Sequence, residues 1–324
     1  MVSLGKSGKL RIFFSSDIHG SESCFKKLLM VPRLYKATVV IVGGDITGKA
    51  LIPIISKGNG SFETYFLGEK IVVNSIDKLN SLKERIRSIG FYPYITDGKG
   101  AVELKENSKV AENVFEELIS ESLYSWVNMA DNVLEKMDNV KFFIMPGNDD
   151  SYIVDKILSE SKHLINPDGK LIEIDSNHKL FSLGVSNITP WKCPRDFTEE
   201  EILAKIEGIL NVAVEGQLIF NIHVPPYGTH IDLAPKLNDE MKPILKPGGE
   251  YEMIHVGSVS VRAAIEKFQP KIGFHGHIHE SRGVDKIGST LVFNPGSEYN
   301  IGILRGVLVE VDEKKVRDYI FTQG

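Results

Sequence analysis

The stretch Leu10-Arg11-Ile12-Phe13-Phe14-Ser15-Ser16-Asp17-Ile18-His19-Gly20 decides how this chain is read. Leu10–Ser15 is an apolar, aromatic run of strand length, and it stops at a polar turn carrying Asp17, His19 and Gly20. In an extended segment residues two apart share a face, so Asp17 and His19 point the same way. The same pattern recurs downstream. Thr38–Val42 runs into Gly43-Gly44-Asp45, and Val140–Met145 into Pro146-Gly147-Asn148-Asp149-Asp150. Gln217–Ile222 runs into His223, and Lys271–Phe274 into His275-Gly276-His277-Ile278-His279.

Ligands of open α/β sheets bind at the carboxyl ends of the strands, so strands ending in Asp, Asn or His aim these side chains at one cleft. Taken singly, each cluster has a plainer reading. Asp-x-His is usually a turn or a cap, and Gly-Gly-Asp and Gly-Asn-Asp are ordinary turn chemistry. A histidine ending an apolar run is more often a satisfied core residue. The order of the clusters and their shared strand-end position argue for a site.

The chain has 324 residues, enough for about two domains or for one α/β domain with insertions. Hydrophobic residues make up 42% and charged residues 25%, which excludes disordered, collagen-like and coiled-coil classes. Lys plus Arg is 38 against 43 Asp plus Glu, a formal charge of −5. That argues against an unaided nucleic-acid binder, whose affinity comes mainly from basic side chains on phosphates, and leaves a local basic patch open. Cys24 and Cys193 are too few and too far apart for a disulfide framework or a cysteine zinc site, so a reducing cytoplasm is the expected home. No apolar run reaches the length of a membrane span, and the run after Lys6 and Lys9 is too short for a signal peptide.

Apolar runs separated by amphipathic segments predict βαβ units and a layered α/β fold. Helices are expected at Glu22–Met30, Glu112–Met137, Glu199–Leu210 and Val259–Phe268. In the longest, Phe115, Leu118, Ile119, Trp126, Val127, Ala130, Val133, Leu134 and Met137 form one stripe for the core. The late strands, Thr290–Phe293 and Gly306–Val311, are expected as antiparallel additions to a mixed sheet. Residues from about Ile54 to Val110 hold a hairpin, a helix and a short strand, the content of a small inserted α+β subdomain. Pro225–Met253 reads as a long ordered loop, with His230 and Asp232 in it and His255 beside it as lining or loop-stabilising residues.

Asp-x-His, Gly-Asp, Gly-Asn-x-Asp, a lone His and Gly-His-x-His, in this order from Phe13 to about Ser297, resemble the calcineurin-like metallophosphoesterase superfamily. The Icc-related predicted phosphoesterases are the most similar branch, through Gly44-Asp45-Ile46-Thr47-Gly48, His223-Val224-Pro225-Pro226-Tyr227-Gly228-Thr229 and Phe274–Ser281. The resemblance implies a four-layer α/β/β/α sandwich over residues 1–324, with the insert at about 54–110 as a cap or a dimer arm. It also implies two divalent transition-metal ions, Mn, Fe, Zn or Co. Asp17, His19 and His279 would hold the first, Asn148, His223 and His277 the second, and Asp45 would bridge them.

Carboxylate, imidazole and amide oxygen form a mixed donor set suited to such ions. Two metals about 3.5–4 Å apart can clamp a phosphoryl oxygen and generate hydroxide for in-line attack. The expected function is therefore a phosphoesterase acting on a small phosphorylated substrate, with phosphodiesters ahead of monoesters. A nuclease and a non-catalytic scaffold are the alternatives. Many members carry His directly after the Asn, where it is thought to protonate the leaving group; this chain has Asp149. An aspartate is a poor acid at neutral pH unless its surroundings raise its pKa, so Asp149 is expected to orient substrate or water.

Overall fold

The computed structural model describes residues 10–58, 60–211, 216–313 and 315–324. The N-terminal segment with Lys6 and Lys9 lies outside them. Two sheets form the middle of the molecule. The first runs from edge to edge as β20 (Val316–Gln323), β19 (Arg305–Val311), β1 (Leu10–Ser15), β2 (Val39–Val42), β7 (Lys141–Ile144) and β8 (Leu164–Ile165). The second runs as β10 (His178–Leu183), β13 (Gln217–Ile222), β16 (Ile272–Phe274), β18 (Thr290–Asn294) and β17 (Gly283–Ile287), with β9 (Lys170–Glu173) leading into β10.

The strands that the sequence marks as continuous apolar runs are central because both their faces are covered. On β1, Ile12 and Phe14 face the other sheet while Phe13 faces the helices; on β2, Val39 and Ile41 face inward and Val40 and Val42 outward. The inward residues meet Leu180, Ile219, Ile272, Phe274 and Phe293 of the second sheet. Phe14 stacks on Phe274 with ring centroids 4.7 Å apart, joining the two sheets at their middle.

Helices α1 (Glu22–Tyr35), α4 (Ser108–Leu134) and α5 (Ile153–Leu158) cover the outer face of the first sheet, and α6 (Glu199–Leu210) and α7 (Val259–Phe268) that of the second. Each of the longer ones starts where its sequence provides a cap. Thr198 and Glu201 form a capping box at α6, and Ser21, Asn107 and Ser258 accept amide hydrogen bonds at α1, α4 and α7. The result is the α/β/β/α sandwich.

The insert is a four-stranded sheet of its own, ordered β5 (Glu69–Val73), β4 (Phe62–Phe66), β3 (Ala50–Ser56) and β6 (Phe91–Thr96). Helix α2 (Ile76–Ser88) closes a small core of Ile54, Phe66, Val73, Leu79, Leu82 and Ile86 on it. Helix α3 (Gly98–Glu106) leads from this sheet to α4.

Three details differ from the sequence reading. The segment after Pro225 is not all loop, since β14 (Leu233–Pro235) pairs with β15 (Met253–His255) and further bridges join Leu237 to Pro243 and Leu245 to Tyr251. The late strands divide between the sheets: β19 and β20 are antiparallel in the first, whereas β18 runs parallel to β16 in the second. A short parallel pair, β11 (Ser186–Asn187) with β12 (Asp196–Phe197), stands beside the strand ends. Among the described residues, no helix is long and apolar enough to cross a membrane.

Candidate metal centre

The polar clusters at the ends of β1, β2, β7, β13 and β16 come together. Single ligand atoms of Asp17, His19 and His279 lie within 4.8 Å of one another, and so do those of Asp45, His223 and His277. A third grouping joins His19 and Asp45 to Asp149. Asp45 belongs to both sides: its Oδ1 is 3.3 Å from His223 Nε2 and its Oδ2 3.7 Å from His19 Nε2. Asp17, His19, Asp45, Asn148 and His223 are buried, and His277 and His279 are half-buried.

The backbone accepts unusual geometry to hold them. Asp17, His19, Asp45 and His277 have φ of 56°, 37°, 49° and 68°, the left-handed region that non-glycine residues rarely enter. Such strain gathers at sites the surrounding fold over-determines. Two turn glycines are required by close approach. A Cβ on Gly147 would lie 2.2 Å from Asp45 Oδ1, and one on Gly276 would lie 2.4 Å from Asp17 Oδ2.

Several side chains are aimed by partners outside the cluster. His223 Nδ1 is 2.8 Å from the Gly43 carbonyl, which fixes Nδ1 as a protonated nitrogen and leaves Nε2 to face the centre. Asn148 Nδ2 donates to Asp196 Oδ1 at 3.0 Å, so the amide oxygen faces the other way. Asp196 is in turn held by the Thr189 and Cys193 amides and the Thr189 hydroxyl. His277 Nε2 is 3.2 Å from Ser186 Oγ, and the His277 amide donates to Asp17.

Among the described residues, His19 Nδ1, Asn148 Oδ1 and His223 Nε2 are buried without a well-aligned hydrogen-bond partner. A buried polar atom left unpaired costs its desolvation, about 1–3 kcal/mol. Two of these, Asn148 Oδ1 and His223 Nε2, belong to side chains held from outside the cluster and fit residues built to take cations, whereas His19 meets Asp45 through its other nitrogen. The donor set, carboxylate oxygen, amide oxygen and imidazole nitrogen, suits divalent transition metals.

The electrostatics agree with that reading. Burial would raise the Asp17 and Asp45 carboxyls, but neighbouring histidines outweigh it and hold both well below the usual range. Burial pulls His223 down, yet Asp45 and Asp17 push it up to about 9, so these carboxylates draw positive charge to its place. His19 and His277, desolvated with less compensation, fall to about 3 and about 4 and are neutral imidazoles at pH 7.

Other residues named from the sequence have structural work. His275 is fully buried with Nδ1 on the Ile222 and Val224 carbonyls, a strut between β13 and β16. Asp232 is buried and accepts from the Gly228, Thr229 and Gly257 amides and from His255 Nδ1, so it shapes its loop. His230 is exposed, with its amide on Asp285.

No family model matches the chain. The uncharacterized protein MJ1162 of Methanocaldococcus jannaschii is 37% identical over 172 residues, 52% of this chain and 70% of that protein. The chain belongs to that protein's family. One solved structure aligns over 98% of this chain and 99% of its own length, with a TM-score of 0.58 and 14% identity. The structure of TT1561 of Thermus thermophilus aligns over 95% and 100%, with a TM-score of 0.51 and 10% identity. At these identities the likeness is one of fold, the α/β/β/α sandwich described above.

Within this sandwich, two residues at the centre carry no motif that marks them in the sequence. Lys49 Nζ is 3.2 Å from Asp149 Oδ2, and the Tyr299 ring packs against His19 with centroids 4.6 Å apart. A third, Asp150, reads as turn chemistry but is an anchor. Fully buried, it accepts from the Ile46, Thr47 and Gly147 amides and the Thr47 hydroxyl. Burial and the charge of Asp45 push its carboxyl up to about 6 against those hydrogen bonds.

Proposed function

We propose that this chain is a metal-dependent hydrolase of phosphoric esters, with small phosphodiesters ahead of monoesters as substrates. The observation that carries the reading is that Asn148 Oδ1 is buried with no hydrogen-bond partner among the described residues and His223 Nε2 faces the Asp45 and Asp17 carboxylates, each side chain being fixed by a hydrogen bond at its other polar atom. Such orientation by outer partners is how protein ligands are prepared for a metal. Asp17, His19 and His279 would hold one divalent ion and Asn148, His223 and His277 a second, with the Asp45 carboxylate shared. Two such ions supply Lewis-acid activation of a phosphoryl oxygen and of a water.

The residues of the chain account for the remaining chemistry. Asp45 presents one oxygen to each side of the site, and the Asp149 amide donates to Asp45 Oδ1 at 3.1 Å, which steadies it. Ser15 and Ser21 are spent on the Arg305 and Ser88 carbonyls, and Ser16 has no hydrogen-bond partner to act as its base. An activated serine nucleophile needs such a base, so water is the nucleophile in this reading. Asp149, beside Asp45 and His19, orients substrate or water.

One phosphoesterase domain with an insert at about 54–110 is part of the same reading. The insert packs on the loop that follows Asp45 through Tyr92, whose hydroxyl accepts from the Gly48 amide at 2.7 Å, and this supports a cap over a dimer arm. The two free cysteines agree with a cytoplasmic home.

The test is hydrolysis of bis-p-nitrophenyl phosphate by metal-stripped protein with and without added Mn²⁺. Manganese-dependent turnover that disappears in Asp45→Ala is expected. No turnover with any divalent metal would replace the enzyme with a binding or scaffold role.

A further inference from the structure

Lys49 is the first residue after a loop whose path is fixed from behind. Asp150 Oδ2 takes the Ile46 amide at 2.9 Å, and Oδ1 takes the Thr47 amide at 2.8 Å. The Gly48 amide is held by the Tyr92 hydroxyl. These bonds hold the backbone leading to Lys49 in place, and its side chain is 43% exposed. Its Nζ meets Asp149 Oδ2 at 3.2 Å, and Asp149 contributes a carboxylate oxygen to the group formed with His19 and Asp45. The ammonium thus sits one carboxylate away from the candidate metal ligands, on the solvent side.

An ordinary surface ion pair here would have no purpose, since such pairs contribute little to stability. Its position gives it one. Asp149 standing alone would add a third negative charge beside Asp17 and Asp45, and it would repel an anionic substrate. Paired with Lys49 it does not. A lysine ammonium offers three rotatable donors, so it can keep Asp149 on one and give another to a phosphoryl oxygen. Tyr299 packs on His19 and lies edge-on to His279 with centroids 5.9 Å apart, covering both imidazoles, while the Lys49 side chain stays 43% exposed.

We propose that Lys49, held in place by Asp149, is a substrate-binding residue that grips an anionic phosphoryl oxygen at the mouth of the centre. This rests on the phosphoester-hydrolase reading. It gives Asp149 a positioning role in place of the missing histidine.

The experiment compares wild type, Lys49→Ala, Lys49→Arg and Asp149→Asn as manganese-loaded proteins. Bound manganese is measured by metal analysis, binding of inorganic phosphate by titration calorimetry, and KM and kcat with bis-p-nitrophenyl phosphate. Lys49→Ala is expected to keep its manganese and to bind phosphate about tenfold or more weakly, as for one lost charge-assisted hydrogen bond, with KM raised accordingly. Lys49→Arg should recover most of the affinity, and Asp149→Asn should lose part of it.

Unchanged phosphate affinity in Lys49→Ala would overturn the proposal, and so would loss of manganese in step with loss of phosphate. If wild type turns over with manganese while Lys49→Ala binds phosphate normally, the inference alone falls. If wild type binds neither manganese nor phosphate, the hydrolase reading falls and takes the inference with it.

Discussion

The crowding around Asp45 makes single atoms decisive. A Cβ on Gly147 would stand 2.2 Å from Asp45 Oδ1 and 2.3 Å from its amide, closer than any real Cβ contact. Gly147→Ala must therefore displace the carboxylate that both sides of the centre share. Bound manganese after dialysis is expected to fall at least tenfold, while the thermal unfolding curve keeps its cooperativity. Gly208 of α6, with nothing near it, is the control, and Gly208→Ala should keep its manganese. Wild-type manganese content in Gly147→Ala would refute the account. At this scale the sequence was legible where residues sit at strand ends with recognisable spacing, as with Asp17 and His19 or His277 and His279. Lys49 has no such mark. Only the folding of its loop against Asp149 separates it from other surface lysines.

Elements were legible in proportion to how apolar they are. Strands β1, β2, β7, β13 and β16 are largely buried and read as mainly hydrophobic runs, interrupted only by Arg11, Lys141, Gln217 and Asn221 and ending in Ser15. Strand β3 was hidden by Pro53, which argues against a strand in mid-sheet. It is tolerated because β4 pairs only with Ile55 and Ser56, so no ladder bond is lost on that side at Pro53. Strand β20 sits at an edge with mostly exposed residues and no apolar run.

The join between α4 and β8 carries a pH-dependent element. Asp131 on α4 accepts from the Ser161 hydroxyl and from the Lys162 and His163 amides. Burial would raise its carboxyl, but these hydrogen bonds outweigh it and hold it below its ordinary value. A depressed carboxyl stabilises the fold above the unfolded pKa of about 3.9 and loses that contribution as pH falls through the folded value. Urea midpoints of wild type and Asp131→Asn should differ at pH 7 and converge as the pH is lowered below about 4. A constant gap would show that the charge is not involved.

For the molecule as a whole, the stacked pair Phe14 and Phe274 ties one sheet to the other. Both rings are fully buried in the core between the sheets. Phe14→Ala is expected to cost about 3–5 kcal/mol, read as a lower urea midpoint at unchanged slope. A shift below about 1 kcal/mol would mean that the two sheets do not depend on this contact. The sandwich architecture was implied only by the family resemblance that the strand-end clusters carry, since alternation of strands and helices alone gives only a layered α/β class.

Strand β1, the first described element of the chain, lies in the interior of its sheet between β2 and β19. Its neighbour β19 begins at Arg305, about 290 residues after β1 ends at Ser15. A ribosome adding roughly 5–20 residues per second needs about 15–60 s to cover that distance. Through that interval a nascent Ile12-Phe13-Phe14 has an open strand edge, and for most of it the turn bearing Asp17 and His19 lacks the loop bearing His277 and His279. Vectorial synthesis thus leaves the assembly of the Asp and His cluster until almost the last strand emerges, and the half-made chain is the form that most needs shielding from its own kind.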